Sequence, residues 1–203
     1  LDLFQAGPKV EGGVLRAGTL EDLFDLALGF AMQPLPRGDR LLILTNAGGP
    51  GILAADTASL LGIPLAGVSV SLRERILPAL PPTASLANPV DIIGDARADR
   101  YRTVLSALRD EPSVDAVLVL LTPQAMTEPE ETARATVSLL AGSGKTVFAS
   151  FLGEARRAYR RVDEAPYKSA AVFVYPVVIT AVIGVIGAAL FIGGRARGKD
   201  AAA

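Results

Sequence analysis

The sequence predicts an α/β fold: a parallel sheet with helices on both faces, followed by a C-terminal hydrophobic helix. Three observations predict it. Short apolar runs recur at 41–45 (LLILT), 114–121 (VDAVLVLL) and 145–151 (KTVFASF), and uninterrupted apolar strands are those covered on both faces. The stretches between them carry helical patterns of about 10–15 residues, the crossover length that parallel strands require. Near the C-terminus, residues 169–194 run without a single charge, enough to span roughly 30 Å of hydrocarbon as one helix.

Composition narrows the chemistry. Half of the 203 residues are hydrophobic, which suits one domain with an appendage. The formal charge is -1, with no strongly basic block before the C-terminal third, so nucleic acid is not an expected partner. The chain has no cysteine and no histidine. That removes disulfides, thiol nucleophiles and cysteine–zinc sites, together with the commonest metal ligand, the usual general base and any phosphohistidine of its own. The first residue is Leu1 and no signal-peptide pattern follows. The expectation is a cytoplasmic piece of a longer protein, truncated upstream.

In chain order, residues 1–39 read as a linker with a short helix. Residues 1–18 are Gly-rich and show no clear periodicity. Thr19 is placed to cap a helix, with Asp22 three residues on and Leu20, Leu23, Phe24 and Ala27 on one face. Residues 33–38 (QPLPRG) end it. The globular domain is expected over 40–165. After the strand at 41–45, residues 51–61 read as a helix closed by Gly62. A weaker strand follows at 65–70 and a short helix at 72–80, stopped by Pro81 and Pro82. Residues 98–110 read as a helix with Tyr101, Val104, Leu105 and Leu108 facing inward. Residues 127–130 (TEPE) open another with a capping box.

Ligands of open parallel sheets bind beyond the carboxyl ends of the strands. Three loops are expected there: 45–51 (TNAGGPG), 88–94 (NPVDIIG) and 122–126 (TPQAM). The glycine turn points to an anion. Glycines admit positive φ and close approach, and the following helix presents free N–H groups and its positive dipole end. Pro50 suits a first turn, and Asn46 is placed to cap the helix or touch a ligand. A plain strand-to-helix turn that binds nothing explains the glycines alone equally well. Residues 141–146 (AGSGKT) imitate the tail of a P-loop but lack the upstream glycine and precede a strand, so they read as a helix-to-strand turn. Asp91 and Asp95, with Glu128, Glu130 and Glu131, are candidate Mg²⁺ ligands, but helix N-termini explain the glutamates. Asp91 alone is retained, and no metal site is assigned.

The runs RLLILTNAGGPGILAAD, NPVDIIGDARADRY and DAVLVLLTPQAMTEPEE together resemble the ADP-forming (NDP-forming) acyl-CoA synthetases, or acetate–CoA ligases, relatives of succinyl-CoA synthetase. The likeness covers about residues 13–153. It implies a flavodoxin-like, succinyl-CoA-ligase-like domain of enzymes that convert acyl-CoA, ADP and phosphate into acid, CoA and ATP through a mobile phosphohistidine. It further implies phosphate binding by Asn46, Ala47, Gly48, Gly49 and Gly51, with Asn88, Pro89, Asp91, Thr122, Pro123 and Gln124 on the same edge. The family's Ser-His-Thr-Gly motif is missing, so no catalytic residue is assigned. The family's CoA, ADP or ATP, phosphate and Mg²⁺ chemistry would need partners: a CoA-binding domain, a phosphohistidine domain and an ATP-grasp domain or subunit.

Residues 166–203 are expected to form a basic linker and the hydrophobic helix, a membrane anchor at 169–194. The alternative puts a last strand at 171–176, with a helix after it. A second functional reading is a non-catalytic, membrane-tethered binding or regulatory module, and a third a degenerate gene fragment.

Overall fold

In the computed structural model, which describes residues 9–11, 14–17, 20–152 and 172–175, a small hairpin and one helix precede the sheet. β1 (Lys9–Glu11) pairs antiparallel with β2 (Val14–Arg16), Val10 opposite Leu15. The region expected to be irregular thus holds an antiparallel strand pair. α1 (Leu20–Met32) follows; Thr19, its expected cap, lies outside the described residues.

The central sheet contains β3 (Leu41–Thr45), β4 (Val90–Asp91), β5 (Ala116–Leu121), β6 (Thr146–Phe151) and β7 (Val172–Tyr175). Its order is β4-β3-β5-β6-β7 and every pairing is parallel. The chain steps from β3 to one side, then returns past β3 to β5, so the order reverses at the β3/β5 crevice. Renumbered within the sheet this is the 2-1-3-4-5 order of flavodoxin-like folds.

Side chains alternate across the sheet with the strand period of two. Leu42, Leu44, Val117, Val119, Leu121 and Phe151 face α3 (Val70–Ile76), α4 (Ala98–Arg109) and α5 (Pro129–Leu140). Leu41, Ile43, Ala116, Leu118, Leu120 and Phe148 face Leu26 of α1 and Ala54 and Ala58 of α2 (Gly48–Leu60). The inward face expected for α4 is observed, with Tyr101, Val104, Leu105 and Leu108 buried. For α1 the expectation inverts. Leu26 is buried, whereas Leu20, Leu23, Phe24 and Ala27 are exposed.

Three further expectations change. No strand forms at 65–70; only Leu65 bridges Leu41, because the Asn88 side chain occupies the edge of β3 beyond it. The box at 127–130 does not close. Glu128 is the N-cap residue of α5 without a side-chain bond, and its carboxylate instead accepts from the N–H of Ala98, at the start of α4, and from Arg97. The continuous helix at 169–194 is excluded at its start, since residues 172–175 pair with β6 from Val147↔Val172 to Ser150↔Tyr175. A strand beyond residue 165 also carries the sheet past the expected domain end. The rest of that apolar span lies outside the described residues. Among the described residues no helix is long and apolar enough to cross a membrane.

At the amino ends of the strands, Asp115 accepts from the main-chain N–H and the guanidinium of Arg40, with Nε at 2.7 Å. The buried Lys145 Nζ donates to the carbonyls of Glu111 and Val114, both at 2.6 Å. Gly142 and Gly144 take positive φ. The P-loop imitation is therefore a tight turn whose lysine is consumed by its own fold.

Candidate functional site

The three motif loops meet beyond the carboxyl ends of β3, β4 and β5. The first link is Asn46, buried in the turn after β3. Its Nδ2 donates to the carbonyl of Thr122, and its Oδ1 accepts from the N–H of Thr122, each at 2.8 Å. Asn46 therefore neither caps α2 nor points at a ligand; it fastens the first loop to the third. The N-cap position belongs to Ala47, with no side-chain cap bond. The Thr45 hydroxyl closes the turn instead, donating to the Ala47 carbonyl (2.9 Å) and accepting from its N–H (3.0 Å).

Asn88 does comparable work along the outer edge of β3. Its Oδ1 accepts from the Ile43 N–H at 3.0 Å, and its Nδ2 donates to the carbonyls of Leu41 (2.7 Å) and Ala66 (2.9 Å). One side-chain amide thus stands where a neighbouring strand's peptides would be. Past it, the cis-linked Pro89 leads into β4, so the motif supplies its own two-residue strand. That strand is too short to show a period.

α2 starts at Gly48, not at residue 51, so the glycines are the first turn of the helix rather than a loop before it. Pro50 sits in this turn, where no helical N–H is needed. The glycines are not equivalent. A Cβ on Gly51 would lie 2.9 Å from Thr45 Cγ2 and 3.4 Å from Pro89 Cβ, so Gly51 is a close-packing position. Its N–H bonds to the Ala47 carbonyl. A Cβ on Gly49 would meet nothing within 4 Å. Gly48 and Gly49 are both exposed, and as the first helical residues their N–H groups lack helical acceptors. Of the five residues expected to bind phosphate, these two present open donors, while Asn46, Ala47 and Gly51 shape the turn.

Asp91 borders this opening. Its Oδ1 accepts from the Ile93 N–H at 2.9 Å, and its Oδ2 lies 3.4 Å from the Cβ position of Gly48. Ile93 has φ +68°, a costly conformation for a β-branched residue, of the kind that clusters at working sites. The third loop closes on itself. The Thr127 hydroxyl accepts from the Gln124 N–H and donates to its carbonyl. Gln124 Cγ reaches 3.7 Å from the Cβ position of Gly94, joining the second and third loops. Pro123 is exposed beside it.

One residue of this cluster was not singled out by sequence reasoning. Tyr101, read only as a core position, sends its hydroxyl to the Leu120 carbonyl at 2.8 Å. Burial and the nearby Asp91 carboxylate push its pKa well above the usual tyrosine value, against the pull of the Asn46 main chain. It stays a proton donor, placed among the ends of β3, β4 and β5. Of the other acidic candidates, Asp95 pairs with Arg100, Glu128 with Arg97 and Glu130 with Arg134, while Glu131 lies exposed in the first turn of α5. Among the described residues no cluster of three or more acidic, His or Cys residues could hold a metal ion.

Comparison with known proteins gives consistent matches. The model of the Ligase-CoA domain matches residues 41–196. The 4-hydroxybutyrate–CoA ligase [ADP-forming] of Nitrosopumilus maritimus is 38% identical over 143 residues, 70% of this chain and 20% of that protein. The acetate–CoA ligase [ADP-forming] II subunit alpha of Pyrococcus furiosus is 39% identical over 155 residues, 74% of this chain and 33% of that subunit. Among solved structures, the dinucleotide forming acetyl-coenzyme A synthetase 1 of Ca. Korarchaeum cryptofilum, in complex with phosphate and ADP, superposes with a TM-score of 0.79. It is 34% identical and is matched over 92% of this chain and 39% of that one. This chain thus spans between a fifth and two fifths of the length of these proteins.

Proposed function

The chain belongs to the Ligase-CoA domain family, shared with ADP-forming acyl-CoA ligases, and on that premise we propose that it cradles a phosphoryl group carried by a histidine of another domain. The observation that supports this reading is the pair of open amides at Gly48 and Gly49, at the mouth of the β3/β5 crevice, with both walls tied by hydrogen bonds. Two N–H groups and about half a positive charge at the helix start favour a phosphoryl group without any cationic side chain. Donors fixed in advance need no rearrangement as charge builds during transfer.

Asp91 takes a different part. A carboxylate against phosphoryl oxygens is repulsive. One that accepts from the free ring N–H of the incoming imidazole fixes that ring and its tautomer. In this reading Gly48 and Gly49 hold the phosphoryl group and Asp91 orients its carrier.

The full reaction, acyl-CoA with ADP and phosphate to acid, CoA and ATP, needs groups this chain does not contain. Without histidine it cannot form a phosphohistidine of its own. CoA, nucleotide and Mg²⁺ are assigned to the partner domains, and no step here runs through them. The membrane-tethered alternative loses residues 172–175 from the span it requires.

Isothermal titration of the full chain with inorganic phosphate, free phosphohistidine, ADP and CoA tests the proposal. Phosphate and phosphohistidine should bind, and Gly48→Val or Gly49→Val should abolish binding while circular dichroism stays unchanged. Heats that persist in both variants, or none in the parent, would overturn it.

A further inference from the structure

The two helical layers of this domain have unlike outer surfaces. On α4 and α5 the exposed positions are polar, such as Arg102, Ser106, Glu131 and Ser138, while Val70 of α3 and Leu77 just after it are the large apolar side chains exposed in that layer. On the α1/α2 side large apolar side chains are exposed, beside the polar Asp56 and Ser59 of α2. Leu20, Leu23 and Phe24 project from α1 at 68%, 50% and 65% exposure, and Ile52, Leu53 and Leu60 from α2 at 60%, 60% and 69%. Leu26, Ala54 and Ala58 already bury the opposite sides of the same helices against the sheet. Exposed apolar surface gathered on one layer in this way marks a contact site.

We infer that the outer faces of α1 and α2 are a docking surface for the protein domain that delivers the phosphorylated histidine. This rests on the cradle proposed above. Two observations select that occupant. Ile52 and Leu53 stand one turn beyond Gly48 and Gly49, so whatever covers α2 also borders the open amides. The related ligases are three to five times longer than the stretch they share with this chain, so further domains of the same assembly are the available partners. The contact is apolar, giving affinity along the helices, while the anion is read separately at the helix start.

The natural lack of cysteine makes the test clean. Full-length Phe24→Cys and Ile52→Cys, each labelled with a benzophenone maleimide, are illuminated in extract of the cells that produce the protein. Ser106→Cys and Ser138→Cys report on the polar layer. The expected result is one polypeptide bearing acid-labile, alkali-stable phosphate, joined to positions 24 and 52 at least tenfold more than to 106 and 138. Equal capture from both layers, capture of only a second copy of this chain, or capture of no polypeptide overturns the inference. Phosphate titration on the same proteins separates the two ideas. Binding without selective capture removes the docking surface and leaves the cradle; selective capture without binding removes the cradle.

Discussion

Asn46 and Thr122, 76 residues apart, exchange two hydrogen bonds of 2.8 Å, side-chain amide to main chain, across the β3/β5 crevice. The pair fixes the distance between the first and third loops. Removing the amide leaves a buried N–H and C=O unpaired, which costs about 1–3 kcal/mol for each stranded group. Asn46→Ala should lower unfolding stability by roughly 2–4 kcal/mol in urea titrations. Asn46→Asp should fail to rescue it, because a carboxylate cannot donate to the Thr122 carbonyl.

Asn88→Ala should be as damaging, although the residue lies farther from the open amides. It removes partners from Ile43, Leu41 and Ala66 together. A loss of about 3 kcal/mol is expected, with hydrogen exchange fastest at Ile43, whose N–H then faces no acceptor.

The glycines of the first turn should separate by stability. Gly51→Ala drives a methyl to 2.9 Å from Thr45 Cγ2 and should cost about 1–3 kcal/mol. Gly49→Ala meets open space and should be neutral or stabilising by up to about 1 kcal/mol. Thermal melts of the two variants check this ordering.

Acid should weaken the fold through the opposite edge. Burial raises the pKa of Asp115, but hydrogen bonds and charge from Arg40 outweigh it and the net shift is downward. Glu111 is likewise lowered overall, burial being outweighed by hydrogen bonds from Ser113 and the charge of Arg75. A carboxylate with a lowered folded pKa stabilises above its unfolded value, and that contribution is lost as pH falls through the folded value. Stability should hold above about pH 5 and decline below about pH 4. Asp115→Asn should flatten the decline in acid unfolding curves.

The long apolar runs made β3, β5 and β6 legible to within two residues, the period of α4 did the same for it, and residues 127–130 marked where α5 begins. What escaped was structure held by single side chains. β4 has two residues, too few for any period, and exists because Asn88 and Pro89 present Val90 and Asp91 to Leu44 and Thr45. The glycines of α2 looked like a loop because their propensity is poor. Glu128 caps a neighbouring helix, a relation between residues 30 apart that local pattern cannot reveal. In α1 both sides are apolar, so periodicity could not decide which one faces the sheet. The edge carrying the three motifs was read correctly, but not the division between residues that build it and residues left open.

Amide shifts from ¹H–¹⁵N correlation spectra of the uniformly ¹⁵N-labelled chain, titrated with inorganic phosphate, test the cradle most directly. The account predicts saturable shifts concentrated at Gly48 and Gly49, with smaller ones at Ile93 and Gly94, and none at Gly142 or Gly144. Shifts absent at Gly48 and Gly49, or larger at the turn holding Lys145, would contradict it.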